Sequence, residues 1–331
     1  MIRGWKSTIL STASHGGLAE TALNSISEPL EDIIKTAKPT ITAIGLGGAG
    51  SNIVTWIKEQ GIAGVKLIAA PEFGAESMDS IKEDLLGSDL VFLVAGFGGG
   101  TGRGAAPVIA ELTRDAGVPT IGCITLPFAF ERASWDKSRD GIKKLRKNCD
   151  MVVLIDNERL RQVAGDLPLK PALGIANELV GSFVKNITET ITLPSLINID
   201  YADLRTIMER GGISSIGIGE GENENRVSGA VAQALATPLL DITNISTSKG
   251  VLIHIAGGED MTLEEVAKVG EMVAEKVPHA AKIAWGARVD PDLEGKVRVM
   301  AVLTGVKSTF IGRKKPMRAE KKDNHYLYGQ G

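Results

Sequence analysis

The chain has 331 residues, 43% of them hydrophobic, and a formal net charge of −3 at pH 7; it is long enough for two domains and gives no global field for nucleic acid. Two cysteines, Cys123 and Cys149, and four scattered histidines form neither a disulfide framework nor a metal-ligand spacing, so no metal site built from side chains is expected. No run reaches the ~20 apolar residues of a transmembrane helix and no signal-peptide block opens the chain, which predicts a soluble cytoplasmic protein.

In chain order, Leu18, Ala22, Ile26, Leu30 and Ile34 recur at helical spacing until Pro39. Thr40 to Ile44 reads as a strand, followed by the glycine turn Gly45-Leu46-Gly47-Gly48-Ala49-Gly50-Ser51-Asn52 and a helix carrying Ile53, Val54 and Ile57. Strands are predicted at 65–70, 90–95, 120–125 and 151–155, with helices at 105–116 and 136–147 between the later ones. This alternation predicts a Rossmann-like α/β fold with a parallel sheet covered on both faces. A long helix over about 169–190 follows, and then Leu196-Ile197-Asn198-Ile199-Asp200-Tyr201-Ala202-Asp203 leads into another helix. From Ile213 the pattern changes to a smaller α+β unit, with strands near 215–219, 251–256, 281–287 and 297–303 and helices at 226–236 and 263–277. Beyond Val306 apolar periodicity is lost, and from Lys307 onward seven basic residues stand against Glu320 and Asp323. A basic, flexible tail is expected there.

The chemistry-bearing stretch is Gly96-Phe97-Gly98-Gly99-Gly100-Thr101-Gly102-Arg103-Gly104, between a strand and a helix. Glycines let the backbone curl and present N–H groups to an anion, and the following helix adds its positive end. Thr101 adds a hydroxyl, but the Gly-x-x-x-x-Gly-Lys spacing of a P-loop is absent. The earlier turn, Gly45-x-Gly47-x-x-Gly50, formally satisfies the dinucleotide fingerprint, so a nicotinamide-dependent oxidoreductase is one reading. A second, richer loop half a domain later suits a nucleoside triphosphate better. Asn198, Asp200 and Asp203 admit two roles: capping the helix that follows, or positioning a water or cation against a phosphate.

Taken together in this order, the two glycine loops, Asn157 after a strand, the long helix and Asn198-Ile-Asp200-Tyr-Ala-Asp203 resemble the tubulin/FtsZ superfamily, specifically archaeal-type FtsZ. The likeness runs from about residue 40 to 306. It implies a GTP-binding domain over 39–168, preceded by an N-terminal extension (1–38). A central helix and catalytic loop would follow (169–211), then an α+β domain (212–306) and the basic tail (307–331).

The resemblance further implies a GTPase that polymerises head to tail and scaffolds cell division. GTP or GDP, with Mg2+ accompanying the triphosphate, would lie between subunits. By that match Gly47, Gly48 and Ala49 contact phosphates and Asn52 reaches the nucleotide. Gly98, Gly99, Gly100, Thr101 and Gly102 hold the β and γ phosphates, Glu131 lies at the ribose, Asn157 near sugar or base, and Asn177 at the guanine edge. Asp200 and Asp203, with Asn198, enter the neighbouring subunit's site. The tail is a candidate contact for a membrane adaptor at the division site.

Several positions depart from the family pattern. Ala70 runs straight into Pro71-Glu72-Phe73-Gly74, so about thirty residues, one βαβ unit carrying the loop that senses the γ-phosphate, have no counterpart. Arg103 stands where a small residue is usual and is expected to face solvent. The segment after Glu131 lacks an arginine, which Arg132 could replace, and Leu173 stands where a phenylalanine stacks on guanine. These departures leave open a structural paralogue that binds nucleotide but hydrolyses it weakly.

Overall fold

Strand and helix alternate through the first half as β1 (Ile41–Leu46), α1 (Gly47–Glu59), β2 (Val65–Ala70), α2 (Ala75–Leu86), β3 (Leu90–Gly96), α3 (Gly100–Asp115), β4 (Thr120–Leu126), α4 (Arg132–Asn148) and β5 (Met151–Asp156). Next come α5 (Asn157–Ala164), the long α6 (Leu169–Thr192) and α7 (Tyr201–Glu209). The last half is β6 (Gly212–Glu222), α8 (Arg226–Ala236), β7 (Gly250–Gly257), α9 (Leu263–Ala274), β8 (Lys282–Val289) and β9 (Lys296–Thr304). These elements belong to a computed structural model that describes residues 39–193, 195–197, 199–209, 211–236, 245–308 and 310. The expected N-terminal helix, Asn198 and the basic tail beyond 310 lie outside the described residues.

One nine-stranded sheet runs through the molecule in the order β2-β1-β3-β4-β5-β6-β9-β7-β8. Pairings from β2 to β6 are all parallel, whereas β9 pairs antiparallel with both β6 and β7. The mixed α/β class expected from the sequence is therefore observed. Chain order reverses between β1 and β3, and in open α/β sheets a ligand crevice forms beyond the strand C-termini at such a reversal. Both glycine loops start there.

The two faces of the sheet hold separate cores. On one, Ile53 and Ile57 of α1 and Phe183, Val184 and Ile187 of α6 pack beneath Phe92 and Val94. Phe183 meets Phe92 edge to face at 5.8 Å, and Trp56 fills the notch at Gly181, where a Cβ would lie 2.1 Å from the indole. Full burial of such side chains contributes roughly 1.5–3 kcal/mol each, which fixes the 24-residue α6 along the sheet. On the other face Ile109 of α3, Ile142 and Leu145 of α4, and Val266 and Val269 of α9 complete the second core. Phe310, just past β9, is buried against Trp135 of α4 with ring centroids 4.6 Å apart, so the chain's order extends beyond Lys307 into contact with the first half.

Two helices exceed what the sequence pattern predicts. Among the side chains described, the buried positions of α2 reduce to Ile81 and Leu85, and those of α5 to Leu160 and Ala164, too few for a clear 3.6-residue period. Residues 71–74 are all that separate β2 from α2. β2 is an edge strand with mostly exposed or half-buried side chains.

Candidate functional site

At the β1/β3 reversal the ends of α1 and α3 converge on a cavity of about 190 Å3. Its wall contains Gly47, Gly48, Ala49, Gly98, Gly99, Gly100, Thr101, Gly102, Glu131 and Asn157, ten of the residues anticipated from sequence. Gly96, Thr125 and Pro127 also line it; all three follow from the C-terminal ends of β3 and β4, a position that sequence alone marks only weakly. Asn52 on α1 is exposed and Asn177 on α6 half-buried, and neither forms part of this wall. A cavity this size is below the ~300–1,000 Å3 of whole small-molecule pockets and suits the phosphate end of a longer ligand.

The glycines divide by task. Gly47 has φ +69°, and its missing Cβ would sit 3.1 Å from the Gly102 nitrogen. A Cβ on Gly102 would stand 2.6 Å from the Gly96 carbonyl of its own loop and 3.2 Å from the Leu46 carbonyl of the first, so its absence lets the two loops pack together. By contrast, a Cβ on Gly48, Gly99 or Gly100 would meet no atom within 4 Å, so these positions face free space.

Neither helix that points at the cavity is capped. Leu46 precedes α1 and Gly99 precedes α3, without a side-chain cap bond or an acidic residue in the first turn. Their first N–H groups lack intrahelical partners and carry the positive end of the dipole, which is the local chemistry of an anion site. The α3 helix begins at Gly100, five residues earlier than the pattern predicts, because tertiary contact at Gly102 outweighs the low helix propensity of glycine.

The loop is oriented from behind by α4. Ser138 Oγ donates to the Phe97 carbonyl at 2.8 Å and Ser134 Oγ to the Gly98 carbonyl at 3.1 Å. With a planar trans peptide, a carbonyl drawn toward α4 turns the next N–H the opposite way. Glu131 is tucked beneath the loop: its Oε1 accepts from the Phe128 N–H at 2.9 Å, and its Oε2 lies 3.0 Å from where a Gly98 Cβ would stand. Arg103 corrects the expectation of a solvent-facing side chain. It is half-buried, and its Nη1 donates to the Phe97 carbonyl at 3.3 Å. Arg132 is exposed and outside the wall, Trp135 is buried with its indole N–H on the Phe128 carbonyl, and so neither supplies a cation to the cavity.

Asp200 and Asp203 lie outside this wall, at the start of α7. Asp200 Oδ1 accepts from the Asp203 N–H at 2.6 Å, a capping bond, and Asp203 Oδ1 lies 3.8 Å from Lys282 Nζ. The loop before them is pinned to β8 by reciprocal bonds of 3.0 Å between Ile197 and Ala287. Among the described residues no cluster of three His, Cys, Asp or Glu side chains forms a metal site. A divalent cation at the cavity would therefore take most of its ligands from phosphate oxygens, with the Thr101 hydroxyl nearby.

Comparison with known proteins agrees with this arrangement. Residues 57–165 match the Tubulin/FtsZ family GTPase domain, and residues 212–307 match the FtsZ family C-terminal domain. The fold and site thus define a protein of the tubulin/FtsZ class. Cell division protein FtsZ 2 of Methanocaldococcus jannaschii is 40% identical over 318 residues, spanning 84% of this chain and 83% of its own. Cell division protein FtsZ 1 of Archaeoglobus fulgidus is 39% identical, with 87% and 88% covered. Both alignments span more positions than this chain contributes, in keeping with its abbreviated β2–α2 connection. An empty FtsZ dimer from M. jannaschii superposes with a TM-score of 0.75 at 37% identity, covering 84% of this chain and 92% of that one. The GTPγS-bound protofilament of CetZ2 from Haloferax volcanii, at 19% identity and TM-score 0.67, shares the fold, with 83% and 97% covered. The chain belongs to the FtsZ family of cell division proteins.

Proposed function

We propose that the chain binds GTP and GDP at the β1/β3 cavity and hydrolyses GTP in a head-to-tail homopolymer that scaffolds cell division. The observation that carries this reading is the pair of uncapped helix starts converging on open glycines, a cradle for phosphates. Gly47 to Ala49 and Gly98 to Gly102 would hold the phosphates through backbone N–H groups. Glu131 would meet the ribose and Asn157 the sugar or base, while Asn52 and Asn177 would close on the nucleotide beyond the cavity wall. When bound, Mg2+ would neutralise charge on the β and γ phosphates.

Asp200 and Asp203, with Asn198, would serve the cavity of the next subunit and orient the attacking water. The water oxygen bonds to the γ-phosphorus as the bond to the β–γ bridging oxygen breaks, releasing GDP and phosphate. Such a reaction needs mainly positioning and charge stabilisation from the protein. Asp203→Ala is expected to retain GTP binding and lose assembly-dependent hydrolysis. Turnover in the polymer equal to that of the unsubstituted chain would sink the shared-site reading.

A second reading is a structural paralogue with weak hydrolysis, favoured by one observation: no residue of the link 71–74 lines the cavity, so nothing there attends the γ-phosphate. GTPase rates measured across the assembly concentration separate the two. The dinucleotide reading predicts a thermal shift with NAD in place of GTP.

For localisation, no described helix is long and apolar enough to cross a membrane. Recruitment from the cytoplasm to the division site through an adaptor at the basic tail is the reading proposed here. Because Phe310 is buried, the test is a chain ended after Phe310 rather than at Val306. Recruitment should fail while GTP hydrolysis persists; normal recruitment would remove the tail from the account.

A further inference from the structure

Adjoining the proposed nucleotide cavity at Gly100 lies a larger groove of about 800 Å3, walled by α3 and α4. Arg103, Arg114, Lys137, Lys144 and Lys147 line it, opposed by Glu111 and Asp140. Within a chain of net charge −3 this is a concentrated positive surface. The α4 segment alone carries Arg132, Lys137, Arg139, Lys143, Lys144, Arg146 and Lys147 against Asp136 and Asp140. Arg114 is already engaged by Asp115 at 2.6 Å and by Asn148. Lys137, Lys144 and Lys147, spaced to share one helix face, form no ion pair among the described residues.

We propose that this groove docks a short acidic peptide segment of a partner protein, with an apolar residue at its centre. Two observations select a peptide over a uniform polyanion. Glu111 and Asp140 sit among the cations, so a continuous run of phosphates would meet repulsion that a mixed sequence avoids. Val108, 50% exposed, stands in the groove beside Pro107 and offers an apolar anchor point. The lining holds no aromatic ring on which a nucleobase would stack. It is concave, whereas a bilayer surface is flat. From Gly100 to Arg114 the α3 wall runs ~21 Å at ~1.5 Å per residue, the reach of an extended peptide of about six residues. Gly104, on the wall, would have no atom within 4 Å of a Cβ, which leaves room for its backbone to lie close.

The proposal does not depend on GTP hydrolysis. The test is selection of random peptides about seven residues long on the purified full chain, counter-selected on the Lys137→Glu, Lys144→Glu double variant. Enriched peptides should carry acidic residues around a Leu, Ile or Val. They should bind the double variant about tenfold more weakly, with its thermal midpoint unchanged. Lys147→Ala, a milder change, and Val108→Ser should each weaken binding on their own, which keeps the test valid if the double variant folds poorly. Equal enrichment on the two chains would overturn the proposal. So would lysine-dependent binding of oligothymidylate or phosphatidylserine vesicles where peptides fail, or a charge reversal that alters only association between copies of this chain.

Discussion

The starts of α3 and α9 are both helix N-termini that follow the C-terminal end of a strand in the same sheet, and they are finished in opposite ways. At α9 Thr262 and Glu265 form a reciprocal capping box, and Arg226 closes over it, bonding Glu265 at 2.6 Å and pairing with Asp260. The guanidinium holds the Glu265 carboxyl down at about 2. At α3 the first turn has Gly99 before it, no cap and no acid, and carbonyls tied off behind the loop instead. A helix start satisfied by its own chain is structural, and one left open toward a glycine-lined space awaits an external anion. The contrast supports placing the proposed ligand at the α3 end of the molecule without reference to any relative.

The largest effect that would break this contrast comes from closing the open end. Gly102→Val places a side chain 2.6 Å from the Gly96 carbonyl and 3.2 Å from the Leu46 carbonyl of the first glycine loop. It should cost about a hundredfold in GTP affinity, ~3 kcal/mol, measured by titration; unchanged affinity would mean the two loops need not interlock.

The closed half should respond to acid instead. His254 on β7 is 2% exposed, its Nε2 has no hydrogen-bond partner among the described residues, and burial beside Arg288 lowers it to about 4. The folded chain keeps this imidazole neutral while the unfolded chain takes up a proton near pH 6.5. Stability is therefore full above about pH 6.5, falls as pH drops, and levels off below about 4, a loss of ~3 kcal/mol. Urea midpoints should show this drop, and His254→Gln should flatten that part of it.

A smaller change would sharpen the comparison. Arg226→Met leaves Glu265 and Asp260 without their cation and should lower the denaturant midpoint of unfolding modestly, with GTP affinity unaltered. A change in GTP affinity would show that the two helix ends are coupled.

Much of the site was legible because glycine loops between strand and helix are local: ten of the anticipated residues meet in one wall. Asn52 and Asn177 could not be placed that way, since their approach to a ligand depends on how α1 and α6 are rotated against the sheet. Arg103 shows the same limit. Its sequence neighbours are the phosphate loop, yet on α3 it turns toward α4, where the Phe97 carbonyl and the Gly141 notch receive it. Asp200 and Asp203 were ambiguous in sequence between cap and catalyst; the capping bond is present in the single subunit, and the proposed second role needs a neighbour.

By itself the sequence determined the alternation of strands and helices, the two glycine turns, the polar loop before α7 and the family, because each depends on residue type at short spacing. Only the tertiary structure decided which strands adjoin, and hence that β1 and β3 form the reversal where both loops meet. It also decided which glycines make room for backbone and which for a ligand, and where the cations of α4 face. Those are relations between residues distant in the chain, set by how the two cores pack against one sheet, and no local pattern encodes them.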